Sequence, residues 1–196
     1  MRPGIMLVTS VGEWDAALRS AVHSLASPPL TASMRGFTFL GSMAVSWTLT
    51  LALAAWLWSR RLSRDAMLLL GTMVAAEILN DLLKLAIRRP RPEPFFDTPL
   101  PGSYSFPSGH ALFAICFYTT LCAIFCRLFP QYRIALQIAA GLLIAAIGLS
   151  RVYLGVHYPS DVLGGYLCGV LWVSAVRACT ARLRSQGSSA GRGLSD

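Results

Sequence analysis

The chain has 196 residues, 55% of them hydrophobic and only 13% charged, against about 25% charged in an average soluble protein. Its length fits one domain, and its net charge of +8 comes from basic residues at the ends of apolar segments, not from a tail or stripe. That distribution argues against a nucleic-acid binder and fits a protein held in a bilayer with an anionic inner surface.

In chain order, residues 1–34 do not read as a span. Trp14, Leu18, Ala21, Val22 and Leu25 recur at helical spacing, with Glu13, Asp15, Arg19 and His23 largely elsewhere on the wheel. The pattern predicts an amphipathic helix in the membrane interface, ended by Pro28-Pro29, with His23 on its surface. No apolar core leading to a small-residue cleavage site marks a signal peptide.

Five stretches then reach the ~20 residues needed to cross a bilayer: Phe37–Trp58, Ala66–Ile87, Ala111–Leu128, Tyr132–Ser150 and Val162–Ala178. The expected fold is all-α, a polytopic membrane helix bundle of five transmembrane helices plus the interfacial helix. The bundle occupies 37–178 of a single domain, and a disordered tail covers 183–196. Gly165 and Gly169 have the small-xxx-small spacing that lets helix backbones approach. The five cysteines lie in or beside apolar segments. Cys122 and Cys126 share a helix face, but an odd count closes no disulfide framework and small buried hydrophobes explain them best.

Loop charges set the orientation. Arg60, Arg61 and Arg64 fill the first loop, Arg127 and Arg133 flank the third, and Arg177, Arg182, Arg184 and Arg192 follow the last span. The positive-inside rule makes these regions cytoplasmic and turns the second and fourth loops outward.

The outward loops carry the chemistry. Glu77, Asn80, Asp81 and Lys84 form a polar stripe on the second span, at i, i+3, i+4 and i+7. Lys84, the one lysine, either faces a wet cavity or snorkels and pairs with Asp81 or Glu77. Arg88-Arg89-Pro90-Arg91-Pro92 opens a loop of about twenty residues with six prolines, long enough to suggest function. Arg91 suits a phosphate, while Arg88 and Arg89 read better as an interfacial patch for lipid headgroups.

Pro107-Ser108-Gly109-His110 leads into the third span. Ser108 is a natural N-cap, and a helix N-terminus is also an anion site whose glycine lets an anion close to the backbone. His157-Tyr158-Pro159-Ser160-Asp161 leads into the fifth span, after Ser150-Arg151. Asp161 either caps that helix or accepts the His157 ring N–H and fixes its tautomer. Pro-Ser-Gly-His alone arises by chance in roughly one such chain per thousand. The alternation of spans brings all these segments to one side of the membrane.

The segments KLAIRRPRP, PSGH and SRVYLGVHYPSD resemble the tripartite signature of the type 2 phosphatidic acid phosphatase (PAP2) superfamily, at every signature position between Lys84 and Asp161. The resemblance implies a metal-independent lipid phosphate phosphatase with no cofactor, working through a phosphohistidine. His157 is then the nucleophile, His110 the acid and Asp161 the orienting carboxylate. Lys84, Arg91, Ser108, Gly109 and Arg151 bind the phosphate. Integral members commonly have six spans, against the five plus an interfacial helix counted in this chain. The implied partners are a lipid phosphate (phosphatidate, phosphatidylglycerol phosphate, undecaprenyl diphosphate or lipid A class) and membrane lipids, in a bacterial inner membrane with the site outward. A phosphotransferase of the same chemistry, or a non-catalytic lipid-phosphate binder or transporter, are the alternatives. The second needs the cations but has no use for the histidine pair and its carboxylate.

Overall fold

The structure, a computed structural model, describes residues 3–190 except Asp97, with side chains from Ser10 to Thr180. It is all-helical over those residues. The helices are α1 (Pro3–His23), α2 (Pro28–Leu40), α3 (Met43–Ser59), α4 (Ser63–Ile87), α5 (Gly109–Leu128), α6 (Arg133–Tyr153) and α7 (Pro159–Ala190). α4, α5, α6 and the first 22 residues of α7 are each long and apolar enough to cross a bilayer, and α2 with α3 makes a fifth, bent crossing. The protein is an integral membrane helix bundle.

α5 is the central helix. Residues 111–118 are buried without interruption because α4, α6 and α7 all pack on it. The spacing of Gly165 and Gly169 serves that contact: a Cβ on Gly165 would stand 2.6 Å from the Ser108 carbonyl oxygen, and one on Gly169 2.7 Å from Ile115 Cβ. The outer helices turn apolar side chains outward, as Ile134, Ile138 and Leu142 do on α6. These belong against lipid.

Four expectations need correction. The span predicted over Phe37–Trp58 is broken at Gly41-Ser42, where α2 and α3 meet at 49°. Gly41 lies against α6 and a Cβ there would be 2.3 Å from Ile147 Cγ2, while Ser42 caps α3 by accepting from the Val45 N–H at 3.3 Å. Hydropathy runs smoothly through this junction and hides it. The helix expected to end at Pro28-Pro29 already stops at His23, and the pair itself opens a second helix, sitting in the first turn of α2, where a missing N–H costs nothing. Residues 183–190, expected in a disordered tail, continue α7; residues 191–196 of that tail lie outside the described residues.

The fourth correction concerns α1. Trp14, Leu18 and Leu25 are exposed, as an apolar stripe against lipid requires. The opposite face is only partly solvated. Asp15, Arg19 and His23, at i, i+4 and i+8, lie on the loops around the site, with Asp15 fully buried. His23, expected on the surface, stacks on Phe95 with ring centroids 3.9 Å apart.

Candidate active site

One cavity of about 200 Å³ opens where α4 ends, α5 begins, α6 ends and α7 begins. Lys84, Arg91, Gly109, His110, Arg151 and His157 line it, together with Asn80, Ser103 and Met43. Ser108 and Asp161 lie just behind, both fully buried. The structure thus gathers all eight candidate residues in one place.

The loop between α4 and α5 is held as an ordered arm. Phe95 N–H donates to the Leu154 carbonyl at 2.9 Å, Ser105 N–H to Arg89 O at 2.8 Å and Ser108 N–H to Asp161 O at 3.0 Å. The turn after α6 depends on Gly155, whose φ of +75° and contact with the Phe95 backbone exclude a side chain. That turn delivers His157, 2% exposed, to the cavity.

The His157 ring has two different sides. Nε2 lies 3.1 Å from Arg91 Nη1. A guanidinium only donates, so Nε2 presents its lone pair and Nδ1 carries the proton. Nδ1 faces Asp161 Oδ2 and Ser105 Oγ, each at 3.4 Å. Asp161 is fixed in turn: Oδ2 accepts from Ser105 Oγ at 2.5 Å and from Tyr158 N–H at 2.9 Å, and Oδ1 accepts from Arg89 at 2.7 Å. Asp161 therefore holds the turn into α7 and faces the imidazole as well. Burial, with Arg91 and Arg151 nearby, pushes His157 down to about 4 against the pull of Asp161, so the ring is neutral near pH 7.

Arg89 corrects a further expectation. Instead of forming a headgroup patch it bridges Asp161 and Asp15, at 2.7 Å each, and donates to Ser160 Oγ at 2.7 Å. Burial works against its charge, but the hydrogen bonds and charges of the two carboxylates hold it above its ordinary pKa. Asp15 also accepts from Ser160 N–H at 2.9 Å and Oγ at 2.6 Å. Arg88, the other half of that patch, is exposed and its side chain donates to the Leu85 carbonyl of its own helix end.

The other side of the cavity is less complete. Lys84 Nζ donates to Ser103 Oγ at 3.2 Å and pairs with neither Asp81 nor Glu77; Trp47 donates to Glu77 at 2.7 Å and Asn80 to Asp81 at 3.1 Å. Ser108 starts α5 but its hydroxyl makes no cap, and its Oγ, Asn80 Oδ1 and Arg151 Nε are buried without a partner. Arg151 Nη1 contacts Thr38 Oγ1 on α2. The would-be Cβ of Gly41 lies 3.3 Å from the His110 ring, so the α2–α3 bend also walls the cavity. Among the described residues no group of three or more His, Cys, Asp or Glu is arranged to hold a metal.

Sequence reasoning missed Asp15, Ser105 and the role of Arg89. The spacing of Asp15, Arg19 and His23 was a usable signal for the first. Ser105 had none, because its contact depends on the arm's path.

A sequence profile of the PAP2 superfamily matches residues 65–185. The chain belongs to the PAP2 superfamily. Among curated PAP2-type relatives, phosphatidylglycerophosphatase B of Bacillus subtilis is 32% identical over 87% of this chain and 85% of its own. A lipid A 1-phosphatase of Rhizobium etli is 41% identical over 56% of this chain and 47% of its own. The crystal structure of a transmembrane PAP2-type phosphatidylglycerolphosphate phosphatase from Bacillus subtilis superposes with a TM-score of 0.82, at 32% identity, over 88% of this chain and 87% of that one. Aquifex aeolicus LpxE does so with 0.67, at 25% identity, over 83% and 94%. The chain is a membrane phosphatase of this superfamily.

Proposed function

We propose that this phosphatase hydrolyses the terminal phosphate or diphosphate of a membrane lipid through a phosphohistidine. His157 Nε2 attacks phosphorus in line, while Asp161 keeps the proton on Nδ1 and stabilises the positive charge the ring gains. Lys84, Arg91, Arg151, Ser108 and the Gly109 N–H bind the phosphoryl oxygens, whose charge stabilisation is the main task in phosphoryl transfer. His110 gives its proton to the departing alkoxide or phosphate. It then takes one from the water that cleaves the phosphorus–nitrogen bond, which frees phosphate and restores His157. Fixed cations supply the electrostatic stabilisation otherwise given by a metal, so turnover needs no divalent ion.

The observation that carries this reading is the asymmetry of the His157 ring, with a lone pair toward the cationic cavity and an N–H toward a buried carboxylate. A non-catalytic lipid-phosphate binder has no use for it. The cavity lies at the helix ends, so the substrate phosphate belongs at headgroup level, outward by the arginine distribution. Phosphatidate, phosphatidylglycerol phosphate, undecaprenyl diphosphate and lipid A phosphates all meet that description. The test is the stability to acid and to alkali of the phosphoenzyme trapped from a labelled lipid phosphate, with the purified protein supplied with water alone or with added alcohols. An acid-labile, alkali-stable adduct that disappears in His157→Ala supports the mechanism. Turnover without any such adduct ends it, and phosphoryl transfer to alcohol in preference to water makes the protein a transferase.

A further inference from the structure

At the other end of the bundle a crevice of about 570 Å³ lies between α5, α6 and the last turns of the α7 span. Along the α5 axis, Arg127 is about 25 Å from His110 at ~1.5 Å per residue, so this crevice belongs to the opposite leaflet. Three arginines line it, one from each helix: Arg127, Arg133 and Arg177. Arg127 pairs with Asp65. Among the described residues no carboxylate lies within ion-pair distance of Arg133 or Arg177, and Arg177 donates only to the Thr119 carbonyl, at 3.4 Å. Two positive charges are left uncompensated at its lining.

Much of the wall between these cations is small and apolar. Ala123, Ala140 and Gly141 form part of it, and a Cβ on Gly141 would meet nothing within 4 Å. The phosphatase cavity is compact, at about 200 Å³; this is a wider groove, of about 570 Å³, edged with guanidinium groups. A free phosphate would use the arginines and leave the groove open, and a lipid without net charge would fill the groove and leave two cations unpaired. An anionic phospholipid satisfies both, its phosphate taken by the forked donors of Arg133 and Arg177 and an acyl chain lying over Ala123 and Gly141. We propose that this crevice is a binding site, separate from the phosphatase site, for one anionic glycerophospholipid of the opposite leaflet.

The test is native mass spectrometry of the full-length protein in detergent, titrated with phosphatidylglycerol or with phosphatidylcholine of the same chains. Both are phosphodiesters, so neither is a substrate on the monoester reading. Phosphatidylglycerol is expected to bind at least about tenfold more tightly, given the attraction of each basic residue for an anionic lipid. The double change Arg133→Ala with Arg177→Ala should remove that preference, and Gly141→Leu, which gains helix propensity while filling the groove, should weaken binding of both lipids. Lys84→Ala should leave the preference intact. Equal binding of the two lipids overturns the proposal. So does a preference that survives loss of both arginines, or one that vanishes in Lys84→Ala, which would put the lipid in the phosphatase cavity. Should the arginine variant fail to fold, unchanged binding in Gly141→Leu overturns it as well.

Discussion

Around His157 and Asp161 every carboxylate oxygen and ring nitrogen faces a protein partner, whereas across the cavity Ser108 Oγ, Asn80 Oδ1 and Arg151 Nε are buried with none. Burying a polar atom unpaired costs about 1–3 kcal/mol, so the second half is the less stable of the two as it stands. The difference separates two tasks. An attacking atom has to be aimed before the substrate arrives, and that calls for a closed network of donors and acceptors. Ser108 Oγ and Arg151 Nε can donate to phosphoryl oxygens, and leaving them under-bonded keeps that interaction available, whereas Asn80 Oδ1 can only accept.

The comparison is broken most directly at His157. His157→Ala should abolish both phosphoenzyme and turnover in a lipid phosphatase assay. His110→Ala should lose ~10²–10⁴-fold, less on a nitrophenyl ester or a diphosphate than on an alkyl phosphate. If the alanine variant of His157 turned over while that of His110 formed no adduct on any substrate, the two roles would be exchanged.

On the under-bonded half, Arg151→Lys keeps the charge but loses the fork, and should cost about 10²–10³-fold in kcat/KM, as loss of one transition-state donor does. An Arg151→Lys enzyme within threefold of the parent would mean that its burial serves packing with Thr38 alone.

On the saturated half the effects should be smaller, because several bonds share the work. Ser105→Ala and Asp15→Asn are each expected to lower kcat by roughly tenfold with KM little changed, since removing a hydrogen bond to a charged group is worth about 1.5–3 kcal/mol before its neighbours compensate. A rise in KM with kcat intact would move these residues from aiming His157 to binding substrate.

The smallest effect is on titration. His157 should titrate near 4 by NMR, well below an ordinary histidine. Between about 4 and 6.5 the unfolded chain then binds more protons than the folded one, so this residue's contribution to stability falls as pH drops through that window. Removing the neighbouring cation in Arg91→Gln should move the midpoint upward. A downward shift would mean that Arg91 acts on the ring by some route other than its charge.

Much of this site was legible because lysine, arginine and histidine are costly in apolar segments, so each one kept there stands out. The convergence of the motifs followed from counting membrane crossings. What was not legible depends on docking. The polar face of α1 reads as solvated until Arg89 and Ser160 are seen to occupy it, and the break at Gly41-Ser42 is silent in hydropathy because apolar residues, Phe39-Leu40 and Met43-Ala44-Val45, flank it on both sides. Arg89 sits two residues from Arg91 in one Pro-rich run, and no local rule sends one to a carboxylate pair and the other to the cavity.

The Asp15–Ser160 contact joins residues 145 positions apart. During synthesis the N-terminal helix emerges first, yet the groups its polar face has to meet are made only after four further membrane segments. Until then neither His157 nor Asp161 has been made, and Asp15 and Arg89 have nothing to brace. The enzyme should therefore acquire activity late, on insertion of its final span, and a nascent phosphatase would pass through the membrane machinery unable to attack the lipids around it. The same contact lets α1, which lies wholly outside residues 65–185 matched by the family profile, brace the site from a distant part of the chain.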